Sequence, residues 1–140
     1  MRMTSVTERD MVAPLLRVFP PGRYTHLEQV PFNGKVIDVL VLDKKTRRLI
    51  AVELKVDRWR KALQQAAACQ LCATHTYVGL MDGVISDERV EAITRHGVGV
   101  IGFCVGTNGL FAKLVRPARV TGLVNGAYSG RMRRLFEAEN

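Results

Sequence analysis

No stretch of this chain approaches the roughly 18 consecutive apolar residues that a membrane-spanning helix needs. Its first residues, MRMTSVTERDMV, hold no continuous apolar run of the signal-peptide kind, so the cytoplasm is the expected compartment. Cysteine is scarce: three residues, an odd number, suit a reducing compartment rather than a disulfide framework. Cys69-Gln70-Leu71-Cys72, His75 and Cys104 do not read as a zinc site, because the spacing is helical and no second paired motif follows. Acid is in deficit, 13 Asp and Glu against 21 Lys and Arg, and the formal net charge of +8 suits a polyanionic partner such as nucleic acid. Internal repeats, low-complexity segments and linkers are absent, and 140 residues are expected to form one domain, 1–140, around a single core.

What is present centres on the stretch from Gly34 to Gln65. Val36 to Leu42 and Leu49 to Val56 are rich in Val, Ile and Leu, and the polar run Asp43 to Arg48 separates them, the pattern of a hairpin of two well-buried strands. Symmetry about a turn centred between Lys45 and Thr46 sets Asp38 opposite Glu53. Because side chains alternate, Lys55 falls on the face of Glu53, while Ile37, Val39, Val41, Ile50, Val52 and Leu54 are expected to fill the other. One face is thus read as core and the other as charged. Opposed carboxylates repel, and desolvating each costs several kcal/mol unless a cation compensates. A hard divalent ion such as Mg²⁺ takes one or two carboxylates with water and phosphate oxygens, and so fits this pair. Lys55 is then placed to act on a water or on a phosphoryl group. The competing reading is a solvated sheet edge with Lys55 paired to Glu53; both strands are too apolar for it.

Asp38, followed after fourteen residues by Glu53-Leu54-Lys55 between apolar strands and then by a helix carrying Gln65, resembles the PD-(D/E)XK nuclease superfamily, the restriction-endonuclease-like fold. The resemblance covers roughly residues 5 to 105. It implies that Asp38 and Glu53 bind metal, that Lys55 activates water, and that Glu8 in TERDMVAPLLRVF and Gln65 in KALQQA match the first-helix glutamate and the following-helix glutamine of many members. The proline that names the motif is absent; Ile37 precedes Asp38.

Thr4, Ser5 and Thr7 are acceptable caps for a first helix reaching about Phe19, and Pro14 either kinks it or opens a second short helix. Pro20-Pro21-Gly22 breaks the chain, and Thr25 to Phe32 reads as a strand entering the hairpin through Asn33-Gly34. Glu28 on that strand competes with Glu8 as third acid. Asp57 reads as the N-cap of a helix from about Arg58 to Ala73, with Trp59, Ala62, Leu63, Ala66 and Ala73 as its apolar stripe and Arg58, Lys61 and Gln65 sharing another face. Arg58, Arg60 and Lys61 in its first turn oppose the helix macrodipole; a bound phosphate would explain them, a solvated charged face is the plainer account. Strands over Thr76–Met81, Val98–Val105 and Leu110–Val115 and a helix capped by Ser86 complete the pattern, and GRMRRLFEAE reads as a basic amphipathic helix.

The expected fold is an α/β sandwich: a central mixed β-sheet flanked by helices. The expected activity is Mg²⁺-dependent phosphodiester hydrolysis, endo- or exonucleolytic, with Mn²⁺ able to substitute. Asp38, Glu53 and the Leu54 carbonyl would hold metal, Lys55 and Gln65 would serve the reaction with Glu8, and Arg58, Arg60 and Lys61 would bind nucleic acid, DNA favoured. Without a helix-turn-helix or zinc finger, selectivity is expected to follow structure rather than sequence. The alternatives are a non-cleaving nucleic-acid-binding protein of the same fold and, more weakly, a partner for an acidic protein. A C₂ homodimer through Leu110–Val115 or the C-terminal segment would supply the second site that duplex scission needs.

Overall fold

Two turns define the antiparallel half of the molecule in the computed structural model, which describes residues 5–138. Asn33 and Gly34 take φ of 51° and 75°, the conformation a two-residue hairpin turn demands, and they join β1 (Tyr24–Phe32) to β2 (Lys35–Asp43). The second turn is organised by Asp43, whose carboxylate accepts hydrogen bonds from the amides of Lys45 (3.0 Å) and Thr46 (3.4 Å) and leads into β3 (Leu49–Lys55). The β2–β3 ladder pairs Val39 with Val52, Leu40 with Ala51, Val41 with Ile50 and Leu42 with Leu49, the register expected from symmetry about Lys45 and Thr46.

From β3 the chain crosses through α2 (Trp59–Ala68) to β4 (His75–Met81) and through α3 (Asp87–Thr94) to β5 (Gly99–Gly106). These are parallel pairings, and β6 (Gly109–Arg116) closes the sheet antiparallel in the order β1-β2-β3-β4-β5-β6. A six-stranded mixed sheet flanked by helices is the expected α/β architecture. A 3₁₀ turn at Glu8–Met11 precedes α1 (Val12–Val18), and α4 (Gly126–Ala138) ends the described chain. Pro14 sits in the first turn of α1, where its missing N–H costs nothing.

The sheet is covered on both faces, which corrects the expectation of one core face and one charged face. Met11, Leu15 and Phe19 pack on Val39, Val41, Ile50, Val52 and Leu54. On the opposite face Leu40, Leu42, Leu49 and Ala51 meet Cys69, Cys72, Met132 and Phe136, while Ala62 and Ala66 cover Val78, Leu80 and Val100. Strands with helical crossovers are buried on both sides, so their hydrophobicity is continuous rather than alternating. Ile37 also changes sides and joins Leu40 and Leu42. The β1–β2 ladder runs from Glu28–Val39 to Val30–Ile37 without a pair at Gln29 and Asp38, and Gln29 has φ of 54°. Alternation slips by one residue at that kink.

One boundary picks out a single candidate from the sequence reading and two differ from it. Thr7 is the first cap, with its side chain and that of Asp10 forming a reciprocal capping box; Thr4 lies outside the described residues. Arg58, not Asp57, occupies the N-cap position of α2 and supplies no side-chain hydrogen bond, while the Trp59 amide turns to the Asp57 carbonyl at 3.0 Å. α2 ends at Ala68 and passes into a 3₁₀ turn at Cys69–Leu71, short of the expected Ala73.

Candidate metal and nucleic-acid site

The kink in β2 is where the candidate site begins. Released from the ladder, Asp38 reaches across to β3, and its Oδ2 accepts the Leu54 amide at 2.8 Å. Glu53, the adjacent residue on β3, is 1% exposed. Its Oε1 accepts a hydrogen bond from the Cys69 thiol at 3.6 Å, and its Oε2 has no partner. Burial, and then the charge of Asp38, push the Glu53 carboxyl up to about 8, with the Cys69 hydrogen bond and Lys55 pulling weakly the other way. At neutral pH the isolated protein therefore holds this carboxyl largely protonated, and a cation placed beside it favours the ionised form.

Lys55 ends β3 with its side chain 20% exposed, and its Nζ lies 3.9 Å from Glu8 Oε1. The capped 3₁₀ turn delivers Glu8 to that point. Asp38, Glu8, Glu28 and Leu54 border one cavity of about 360 Å³ on the α1 face. Of the two competing third acids, Glu8 engages Lys55, whereas Glu28 Oε2 lies 3.2 Å from His26 Nε2 on its own strand.

Gln65 lies one turn beyond Lys61 on α2, as helical spacing suggests, but borders a different cavity from Arg58 and Lys61. It lines a small cavity of about 80 Å³ with Glu53 and Cys69, and its Oε1 is buried without a partner. Arg58 has φ of −88° and ψ of 71°, outside the helix, and it is Gln64 that borders the same cavity as Arg58 and Lys61. Arg58, Arg60 and Lys61 border an open cavity of about 910 Å³ beyond the end of β3. Arg89, arriving from α3, completes its rim. No sequence signal singles out Arg89, which lies in a helix start dominated by Asp87 and Glu88.

Among the described residues no three His, Cys, Asp or Glu side chains are gathered as a metal cage. The oxygen donors that are present fit a hard divalent ion that retains water and takes up phosphate oxygens: two neighbouring carboxylates, one with a buried unpartnered oxygen. Nitrogen or sulfur ligands for a softer metal are not offered, since the Cys69 thiol is pushed upward by burial and by Glu53 and stays protonated.

No family model and no curated protein matches this sequence. The fold, however, is shared with a solved structure. A protein of unknown function from Silicibacter pomeroyi superposes with a TM-score of 0.69 at 16% identity, over 98% of this chain and 88% of that one. A repair endonuclease from Pyrococcus abyssi gives 0.49 at 16% identity over 71% of this chain and 48% of that chain. EndoMS in complex with double-stranded DNA gives 0.48 at 14%, over 71% and 46%. Superpositions as loose as these last two say nothing about the chemistry of this chain, which rests on its own residues. No described helix is long and apolar enough to cross a membrane.

Proposed function

We propose that this protein is a divalent-metal-dependent nuclease that hydrolyses phosphodiester bonds in nucleic acid, with DNA favoured and structure rather than sequence selected. The observation that carries the reading is the buried Glu53 carboxyl, with its unpartnered oxygen, set against Asp38 at a kinked strand. Folding alone gives no reason to bury a carboxyl with an unpartnered oxygen beside a second carboxylate. Asp38, Glu53 and the Leu54 carbonyl would hold Mg²⁺ or Mn²⁺. Bound there, the ion would supply a water of lowered pKa and offset charge on the scissile phosphate.

The chain's own groups divide the remaining work. Lys55 reaches the edge of the site and orients the attacking water or stabilises charge building on the phosphoryl oxygens. Glu8 holds that ammonium in place from the other side of the cavity. The Cys69 thiol fixes the Glu53 carboxyl from behind, so that one oxygen remains free, and Gln65 lines the small cavity beside it. Arg58, Arg60 and Lys61 neutralise phosphates flanking the reacting one.

Lys55→Ala is the deciding variant. It should lose cleavage by on the order of a hundredfold or more, the size of a lost acid or base role, while still binding metal and substrate. The measurement is cleavage by wild type and variant in Mg²⁺, Mn²⁺ and Ca²⁺, beside substrate binding in Ca²⁺, which should support binding with little turnover. Equal cleavage by the two proteins removes the assignment from this site. Binding without cleavage by wild type in every metal makes the protein a non-cleaving nucleic-acid binder.

A further inference from the structure

Trp59, the one tryptophan in the chain, stands on the wall of the basic cavity beyond β3. Part of its indole packs against the Ala62, Ala66 and Val78 cluster. The remainder meets guanidinium groups: Arg60 lies 4.8 Å and Arg89 5.8 Å from the ring centroid. Arg89 is held there by its own anchor, Nη1 donating to the Val84 carbonyl at 2.7 Å. With Arg58 and Lys61 the cavity carries four cations against a single carboxylate, Asp57, and among the described residues none of the four cations is in a salt bridge. The first turn of α2 contains no acid, so Arg58, Arg60 and Lys61 repel its positive end, and a bound anion would relieve that repulsion.

We infer that this cavity receives a single-stranded segment of nucleic acid, its phosphates on the arginines and lysine and a base stacked at Trp59. The inference deepens the nuclease reading, on which it rests for the position of the strand next to Lys55, by naming the substrate class. A positively charged groove with an aromatic side chain inside it is the combination that binds unpaired strands, because every base has a π-face to offer and the backbone supplies the charge. Duplex DNA satisfies only half of this arrangement. Its phosphates reach the cations, but its bases are already stacked on one another and cannot turn to an indole set in a concave wall. Arginines beside the ring add guanidinium planes on which a neighbouring base stacks.

The test uses Lys55→Ala protein free of divalent metal, titrated with a single-stranded pyrimidine oligonucleotide and with a blunt duplex of equal length, reading the emission of Trp59. The single strand should change the emission and bind roughly tenfold or more tightly than the duplex. Arg89→Ala should weaken single-strand binding several-fold, and Trp59→Leu should erase the preference over duplex. Because Trp59 partly supports the core, a Trp59→Leu protein that fails to fold leaves the decision to Arg89→Ala. Equal or tighter duplex binding, single-strand binding with unchanged emission, or an Arg89→Ala protein that binds like its parent would each overturn the inference. A protein that shows the single-strand preference yet cleaves nothing in any metal loses the nuclease reading and keeps this one; cleavage with duplex preference has the reverse meaning.

Discussion

The β2–β3 hairpin buries one carboxylate at each end and treats the two in opposite ways. At the turn, Asp43 is 6% exposed and fully partnered: Arg23 donates to it at 2.9 and 3.2 Å, and two backbone amides bind it as well. The Arg23 hydrogen bond, aided by those amides, holds its carboxyl down at about 2. At the open end Glu53 is equally buried but has one thiol contact, a carboxylate neighbour and an orphan oxygen, and burial lifts it to about 8. A charge kept for structure is surrounded by donors before anything binds; a charge kept for chemistry is left short of them. That difference, more than burial itself, is what the nuclease proposal rests on.

The largest effect expected from attacking this contrast is at Asp38. Asp38→Asn should reduce cleavage by on the order of a hundredfold or more while raising the metal-free melting temperature, since it removes the charge that penalises Glu53. A lower melting temperature with unchanged cleavage would mean the two acids do not act together. Next comes the pH dependence of stability. The folded-state pKa of Glu53 lies above its ordinary value of 4.5, so its stabilising contribution is complete below 4.5 and is lost as the pH rises through about 8. Metal-free protein should therefore melt at progressively lower temperature across that window, and Glu53→Gln should flatten the trend. Added Mg²⁺ should restore the alkaline loss in wild type and leave Glu53→Gln unaffected.

Asp43 has the opposite sign. Its folded-state pKa is depressed, so its contribution is present above 3.8 and is lost as the pH falls through about 2. Asp43→Ala should cost about 1 kcal/mol, a net charged hydrogen bond discounted for the half-exposed Arg23, with no change in cleavage at saturating metal. Loss of cleavage in a protein that melts normally would place Asp43 in the site. The smallest expected effect separates the cations. Arg58→Ala should lower the slope of log affinity against log salt by roughly one, whereas Arg23→Ala, whose charge is already spent on Asp43, should leave it unchanged. Equal slopes for both would show that the cavity beyond β3 is not where nucleic acid lies.

Much of this could be read in the residues. The hairpin register followed from two apolar runs about a short polar turn, and that register placed Asp38 beside Glu53 because pairing is rigidly periodic. Asn33-Gly34 and the Ser86 cap were equally local and appear where they were expected. Local signals failed where a partner came from far along the chain. The apolar strands hid whether one or both faces were covered, and only the crossover helices answered that. Gln65 was expected to work beside Arg58 and Lys61, and only the packing of α2 on the sheet set it against Glu53 and Cys69 instead.

Sequence alone determined the strands, their turn and their register, because each depends on neighbours a few positions away. The tertiary structure alone decided that Asp38 leaves its ladder for the Leu54 amide, that Glu8 meets Lys55, that Cys69 contacts Glu53, and that Arg89 joins Trp59. Those contacts join residues whose separation along the chain carries no period. They exist because packing helices on both faces of a twisted sheet brings particular side chains to one end of it, and the buried oxygens left unpaired there are fixed by the packing.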